Sequence, residues 1–564
     1  MKDLRTSWTV PKRQPPTSQQ QAVVDGMLDG HHNACIAYAG SGKTATGVEV
    51  AHVLNAPGYL MLFNRAARMD ASPRMPGNVS AITGHALAFQ HVIEPSKRYQ
   101  EKLAGTLDPD DGQPLNATAI ARSLYLNNRS DPDIPAVSQL ATAILKTIEA
   151  FQISADPAPD PDHVPDTVMP LHLRQPENAD AAGAFEARIA DHAKAMWKKM
   201  ISERSPAPIN HDSYLKIFQL RQQDLHASLW ILDEYQDTNP VVDALVNQQS
   251  GQKLWIGDPY QAIHAWRGAI NALQSPIDDG VKTHYLNDSF RFNHQIAGMA
   301  TLLLRSLGEE VPVRGQPRGL QPVNTRENNT IICRTNLTIL FRAGELLLRN
   351  MPVYVDGGIP WATFQRLNSA LALYEGRLED VKVGLLKQLG SWNALVDFAG
   401  SPGATPDTLT MVQMVERYRS HLPLLMEGLQ NKLPWKNPGK PGQTTLLTAH
   451  RSKGRQFLQV ELDEDLALPP SLISKLVNRA PLNTAEREAV HVLYVALTRA
   501  ELGILLPRGI KENFRQLNEA FSRPDDTPGT FVAETVIKPS EGVEKAIRAA
   551  RTEEFIRTHR RTDG

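Results

Sequence analysis

The eight residues Ala37-Tyr38-Ala39-Gly40-Ser41-Gly42-Lys43-Thr44 constrain this chain more than any other stretch. Asn33-Ala34-Cys35-Ile36 before them suits a short buried strand. The run Thr46 to Leu54 after them predicts a helix with Val50, Val53 and Leu54 on one face. A strand, a glycine-bearing turn and a helix N-terminus together make an anion site. Unpaired backbone N–H groups and the positive end of the helix point at the same spot. The backbone of Ala39, Gly40, Ser41 and Gly42 can cradle phosphates, Lys43 can reach the β- and γ-phosphates, and the Thr44 hydroxyl can sit on Mg²⁺. Ala37 stands where the usual G-x-x-x-x-G-K-[ST] pattern has its first glycine. The stretch reads as a nucleoside triphosphate site.

At 564 residues the chain is long for one hydrophobic core, and length alone suggests about three to four domains. Its 60 basic and 61 acidic residues leave a net charge of −1. No bulk field draws it onto nucleic acid, so any such groove has to be built from locally placed side chains. Cys35 and Cys333 both lie in apolar, strand-like runs. They read as small buried hydrophobes of a reducing compartment rather than a disulfide or zinc ligands. With no apolar run of eighteen residues and no signal peptide, a cytoplasmic protein without membrane contact is expected. Residues 1–16 are polar and Pro-rich, as a loose arm would be.

Thr17 or Ser18 can cap a helix that carries Gln19 and Gln20. A glutamine about twenty residues before a phosphate-binding lysine can hydrogen-bond an adenine edge; Gln20 is the first choice and Gln19 the second. Tyr59 to Arg65 predicts a second short strand, ending in Phe63-Asn64, and Val79 to Ala88 a strand running into a helix start, with Thr83 and His85 at the join. Such strand-end groups can hold a single strand by stacking and phosphate contact. Without context they are more readily ordinary strand ends.

From about 90 to 205 the pattern turns helical, with polar Pro/Asp-rich loops such as Ala155 to Asp162. Phe185, Ile189, Ala193, Met196 and Met200 make one apolar stripe, a core face of an inserted subdomain. The sheet pattern resumes at Leu229-Trp230-Ile231-Leu232-Asp233-Glu234. Adjacent carboxylates ending a buried strand suit hydrolysis of a nucleotide: Asp233 in the Mg²⁺ shell, Glu234 orienting or deprotonating water. Lys253 to Gln261 is another strand and turn, in which Gln261 can sense the γ-phosphate. His264, Trp266 and Arg267 follow at once, a cluster able to couple that turn to a stacked base, or simply a buried Trp with solvated neighbours.

The strings AYAGSGKT, LFNRA, TGHALA, ILDEYQDT, GDPYQAIHAWRGA, SFRF, TAHRSKGRQF and YVALTRA stand in the order found in the UvrD-like superfamily 1 helicases, which the chain resembles from about 17 to 500. His211-Asp212-Ser213-Tyr214-Leu215-Lys216 and Phe63-Asn64-Arg65 look closest to the F-box DNA helicase branch, here without an F-box extension. The resemblance implies an α/β fold of two RecA-like P-loop cores with parallel sheets, each interrupted by a mainly helical inserted subdomain. It divides the chain into a first core of 17–89 and 206–285 around the insertion 90–205. A second core of 286–364 and 443–510 surrounds a short insertion, 365–442, and a tail follows from 511 to 564.

It further implies ATP and Mg²⁺ in the cleft between the cores. Phe290 would stack on adenine, Arg291 would touch the γ-phosphate, and Arg499 would act as an arginine finger. His450 lies in the string that contacts DNA as well as nucleotide, beside Phe63, Asn64, Thr83, His85, His264, Trp266 and Arg267 as implied DNA contacts. Gln456 stands where the family usually has glutamate, so a ribose contact there loses the carboxylate charge, and His264 replaces a common tyrosine. The implied activity is ATP-driven 3′ to 5′ translocation on single-stranded DNA with unwinding at duplex junctions, in repair, recombination or replication, by a monomer. Stripping of proteins such as recombinase from single strands, and an ATP-gated subunit of a repair or defence assembly, are the alternatives. In a bacterium the protein would sit at the nucleoid.

Overall fold

The computed structural model describes residues 15–523 apart from 106–114, 128–130, 132, 135, 264–267, 322, 324–329, 350, 402–405, 420–421, 424–425 and 428–442. Asn33–Ala37 (β1) is buried along its whole length because it lies inside a sheet. Around it are Gly58–Met61 (β2), Val79–Ile82 (β3), Leu229–Leu232 (β4), Gln252–Gly257 (β5) and Lys282–Leu286 (β6). They run in the order β3-β2-β4-β5-β1-β6, and every pairing is parallel. Strands buried on both faces read as continuous apolar runs, as Leu229 to Leu232 does.

This order explains how residues far apart in the chain meet. β4 and β1 flank β5, and parallel strands end on one side. The segments that leave β1, β4 and β5 therefore emerge side by side, at the sheet edge where ligands of open α/β folds bind.

A second parallel sheet holds Thr330–Cys333 (β9), Val353–Val355 (β10), Thr444–Thr448 (β11), Phe457–Leu462 (β12) and Ala500–Leu505 (β13), in the order β10-β11-β9-β12-β13. Between the sheets, Asp288–Asn293 (β7) pairs with Arg314–Gln316 (β8). Two parallel-sheet cores within one chain are thus observed, as the family resemblance implies.

Each sheet is interrupted by helices. Between β3 and β4 lie Lys97–Ala104, Ala117–Leu124, Val137–Ile153 and Ala179–Ile201. Phe185, Ile189, Ala193, Met196 and Met200 are all fully buried there, and Phe151 meets Trp197 edge-on with ring centroids 5.1 Å apart. Between β10 and β11 lie Trp361–Tyr374, Gly384–Leu389, Trp392–Ala399 and Pro406–Tyr418. Leu373 and Val381 are buried, whereas Leu378 is half exposed.

Two details depart from the sequence reading. In the helix Lys43–Leu54 the packed face is Thr46, Gly47, Val48, Val50 and Ala51, and Val53 is 42% exposed. Small side chains at 47 and 51 let that face approach the sheet, so Val53 turns outward. The helix Arg508–Phe521 runs straight through residue 511, where a tail was expected to begin. Its stripe Ile510, Phe514, Leu517 and Phe521 is buried, and Arg305 Nη1 donates to the Phe521 carbonyl at 3.0 Å. That stripe has helical spacing and needs a partner face. Cys35 and Cys333 are buried and unbridged. Among the described residues no helix is long and apolar enough to cross a membrane. The Pro/Gly-rich stretch 433–442, residues 524–564 of the tail and most of the N-terminal arm lie outside the described residues.

Candidate functional site

The loop after β1 owes its shape to two left-handed glycines, Gly40 (φ +76°) and Gly42 (φ +88°). A Cβ on Gly40 would stand 2.6 Å from both the Arg291 Cβ and the Ser289 Oγ, and the Phe290 N–H donates to the Gly40 carbonyl at 2.9 Å. The loop and β7 therefore touch backbone to backbone. On its other side Gln20 donates through Nε2 to Thr46 Oγ1 at 3.2 Å, and its Nε2 lies 3.0 Å from where a Gly42 Cβ would be. Gln19 is turned away and pairs with Asn287 at 2.5 Å. Of the two glutamines named from sequence, Gln20 is the one beside the loop.

Lys43 Nζ lies 3.4 Å from the Ala37 carbonyl and 3.7 Å from Glu234 Oε1. The Thr44 hydroxyl donates to Asp233 Oδ2 at 2.5 Å, across 189 positions of sequence. A hydroxyl and a carboxylate meeting at the mouth of a phosphate-type loop are the hard oxygen donors that a Mg²⁺ ion takes. The pair fits that ion.

Glu234 sits at φ +53°, an uncommon backbone for a non-glycine residue, two residues beyond the end of β4. Gln236 Nε2 donates to its Oε2 at 2.5 Å, while Gln236 Oε1 accepts the Asp258 N–H at 3.0 Å. Burial, then the charge of Glu234, pushes the Asp233 carboxyl up to about 6. For Glu234 burial works upward too, but the positive charges of Lys43 and Lys453 prevail and hold it at about 2. The two adjacent carboxyls are thus pushed in opposite directions, Asp233 upward and Glu234 downward.

Gln261 donates to Asp258 Oδ2 at 2.6 Å and accepts from Arg499 Nη2 at 3.1 Å. Arg499 is 1% exposed, held by the Val495 carbonyl at 2.8 Å and the Arg455 carbonyl at 3.2 Å. Burial and then the neighbouring Arg291 charge lower its pKa to about 9, so it remains a cation at neutral pH. Arg291 donates to the Thr498 carbonyl at 3.0 Å and to Gln456 Oε1 at 3.2 Å. Phe290, half exposed, completes with Gly40, Arg291, Arg318, Gln456 and Glu501 a pocket of about 320 Å³.

Three side chains here were not singled out from sequence. Lys453 forms a buried ion pair with Asp237 at 2.5 Å and also donates to the Gln261 carbonyl. The Tyr494 hydroxyl donates to Asp258 Oδ2 at 3.1 Å and accepts the Ala39 N–H at 3.4 Å. Arg318 donates to the Arg291 carbonyl at 2.6 Å. Lys453 and Tyr494 lie inside quoted strings, four to five residues from Arg499 or Ala449 on local turns, but their partners are long-range and leave no local pattern.

The residues named for DNA are more dispersed. Phe63 and His85 line a smaller pocket, about 100 Å³, that reaches Asp233, Glu234 and Asp237. Asn64 and Thr83 spend their side chains as helix caps, accepting from the Ala67 N–H at 2.9 Å and the Ala86 N–H at 3.2 Å. A DNA contact at these two positions therefore competes with a cap or falls to the backbone. His85 Nε2 is 2.9 Å from Asp212 Oδ1. His450 sits apart, on the turn after β11, 3.7 Å from the Glu488 carboxylate. His264, Trp266 and Arg267 lie outside the described residues.

Comparison with known proteins follows the same lines. The UvrD/REP helicase N-terminal domain matches residues 213–278, the span that carries β4, the acidic pair and Gln261. The chain is 26% identical over 529 residues to F-box DNA helicase protein 1 of Schizosaccharomyces pombe, covering 89% of this chain and 58% of that protein. Together these matches make the chain similar to the UvrD-like superfamily 1 helicases. It is also 25% identical over 535 residues to F-box DNA helicase 1 of Gallus gallus, 90% of this chain and 50% of the relative. DNA helicase II of Salmonella typhimurium is 26% identical over 176 residues, a quarter of either chain. The chain thus spans about half the length of the two F-box relatives it matches.

Proposed function

We propose that the chain is an ATP-driven motor that moves 3′ to 5′ along single-stranded DNA and separates strands at duplex junctions. One observation carries the reading: Arg291 and Arg499, from the later half of the chain, close on the glycine loop and on Gln261 of the first sheet.

ATP bound there meets residues of both cores. Gln20 and Phe290 would contact adenine, Gln456 a ribose hydroxyl, and the loop from Ala39 to Gly42 with Lys43 the phosphates. Thr44 and Asp233 would hold Mg²⁺, which neutralises charge on the phosphates when bound. Glu234, kept ionised by Lys43 and Lys453, can orient water and take its proton. Arg499 and Arg291 stabilise charge that builds on the transferred γ-phosphoryl group, and Gln261 links that region to the turn leading toward His264, Trp266 and Arg267.

Loss of the γ-phosphate removes what both arginines and Gln261 hold, so the cores separate. With Phe63 and His85 on one core and His450 on the other, opening and closing shifts a bound strand. The reading is tested by measuring hydrolysis with and without single-stranded DNA or RNA, then unwinding of 3′-tailed against 5′-tailed duplexes. Unwinding from 5′ tails alone contradicts the polarity, and hydrolysis without any unwinding moves the account to a translocase that displaces proteins.

A further inference from the structure

Three side chains from beyond the first sheet converge on one short turn, Tyr260–Gln261–Ala262. The Tyr260 hydroxyl donates to Glu309 Oε2 at 3.1 Å, Lys453 donates to the Gln261 carbonyl, and His491 Nδ1 lies 3.0 Å from the Ala262 carbonyl. A carbonyl only accepts, so Nδ1 of His491 carries the hydrogen. Burial lowers its pKa to about 4, which leaves the ring a neutral donor at working pH. The rings of Tyr260 and His491 also meet edge-on at 6.1 Å. Glu309 is itself fixed, because its Oε1 accepts the N–H groups of Glu310 and Val311 at 2.8 and 2.9 Å.

Glu309 follows the helix His294–Ser306, and His491 lies in the helix Thr484–Leu497 that leads to Arg499. Gln261, the middle residue of the turn, is the partner of Arg499. We infer that His491 and Glu309 are positioning residues: they fix the turn so that Gln261 faces the γ-phosphate only when the two cores are closed. The inference rests on the ATP-hydrolysis reading above. It makes the turn a sensor of core closure, with the helix bearing His491 reporting the approach of Arg499. A purely structural role for the same contacts would alter stability and would act whether or not Gln261 is present.

The test is steady-state hydrolysis of ATP by the full chain with single-stranded DNA, alongside ADP affinity and melting temperature. His491→Leu, His491→Asn and Tyr260→Phe are each made alone and in a Gln261→Ala background. His491→Leu is expected to lower kcat about tenfold or more with ADP affinity unchanged. His491→Asn, whose amide nitrogen can stand in for Nδ1, restores most of it, and Tyr260→Phe shows a smaller loss of the same kind. In the Gln261→Ala background none of the three causes a further loss. Turnover like the wild type, an equal additional loss without Gln261, or a parallel fall in ADP affinity overturns the inference. If His491→Leu does not fold, the Tyr260→Phe pair decides by the same criterion. A wild-type chain without DNA-stimulated hydrolysis strikes the reading of the cleft, and this inference falls with it.

Discussion

Arg499 Nη2 lies 3.1 Å from Gln261 Oε1, although 238 positions separate them in the sequence. Gln261 follows β5 of the first sheet and Arg499 precedes β13 of the second, so this one hydrogen bond joins the two sheets at the edge that carries the glycine loop. Under the proposed function, the cleft between the two sheets, rather than the glycine loop alone, is the working unit.

Arg499→Ala should therefore retain nucleotide but lose turnover, by about 10³-fold or more if it acts as an arginine finger. Arg499→Lys should recover little, since a guanidinium donates from several nitrogens at once and an ammonium cannot span Val495, Arg455 and Gln261 together. Nucleotide affinity by fluorescence and kcat by phosphate release separate the two quantities.

Asp233 provides a pH test in the nucleotide-free protein. Its folded pKa, about 6, exceeds the ordinary carboxyl value because burial and Glu234 disfavour the charge. The folded state thus binds more protons than the unfolded one between roughly pH 4 and 6, and stability falls as pH rises through that window. Above pH 6 the cost is constant, on the order of 3 kcal/mol. Asp233→Asn removes it, so its melting temperature should match wild type near pH 4 and exceed it above pH 6. A difference that does not change with pH contradicts the assignment.

Gly40→Ala should impair the cleft from the loop side. The added methyl meets the Arg291 Cβ and Ser289 Oγ at 2.6 Å in a left-handed conformation, so β7 and the loop must separate. Both nucleotide affinity and kcat are expected to drop. Phe290→Ala, by contrast, should weaken nucleotide binding by about 1–3 kcal/mol through lost stacking, with kcat at saturation nearly unchanged. Titrations with ATP and with a ribose triphosphate lacking a base discriminate the two effects.

Much of this was legible because the chemistry is written in short strings at the ends of apolar runs. Asp233 and Glu234 follow four buried residues, and the loop from Ala37 to Thr44 follows a strand, so local pattern marked both. Long-range pairing was not legible. Nothing near Lys453 in the sequence points to Asp237, and nothing near Tyr494 points to Ala39. Periodicity also misplaced Val53: the packed face of that helix is Thr46, Gly47, Val48, Val50 and Ala51, so Val50 is buried as expected and Val53 turns outward. The cap roles of Asn64 and Thr83 could be read either way from residue type, since capping and phosphate binding favour the same small polar side chains.

Lys453 and Asp237 form a buried ion pair across the cores, and Asp237 is pushed up to about 6 by burial in spite of its partner. Removing one member leaves the other uncompensated. Lys453→Met or Asp237→Leu alone should each destabilise by about 3–5 kcal/mol, with the double variant clearly less affected than the sum. Thermal unfolding of the four proteins of the cycle checks this; simple additivity would mean the pair does not act as a unit.

Hydrolysis of ATP by the purified wild-type chain, measured with and without single-stranded DNA, tests the proposed motor most directly. Slow turnover alone that rises strongly on addition of DNA, and is abolished by Lys43→Ala, is the predicted result. Turnover that is absent in both conditions, or that persists in Lys43→Ala, would contradict it.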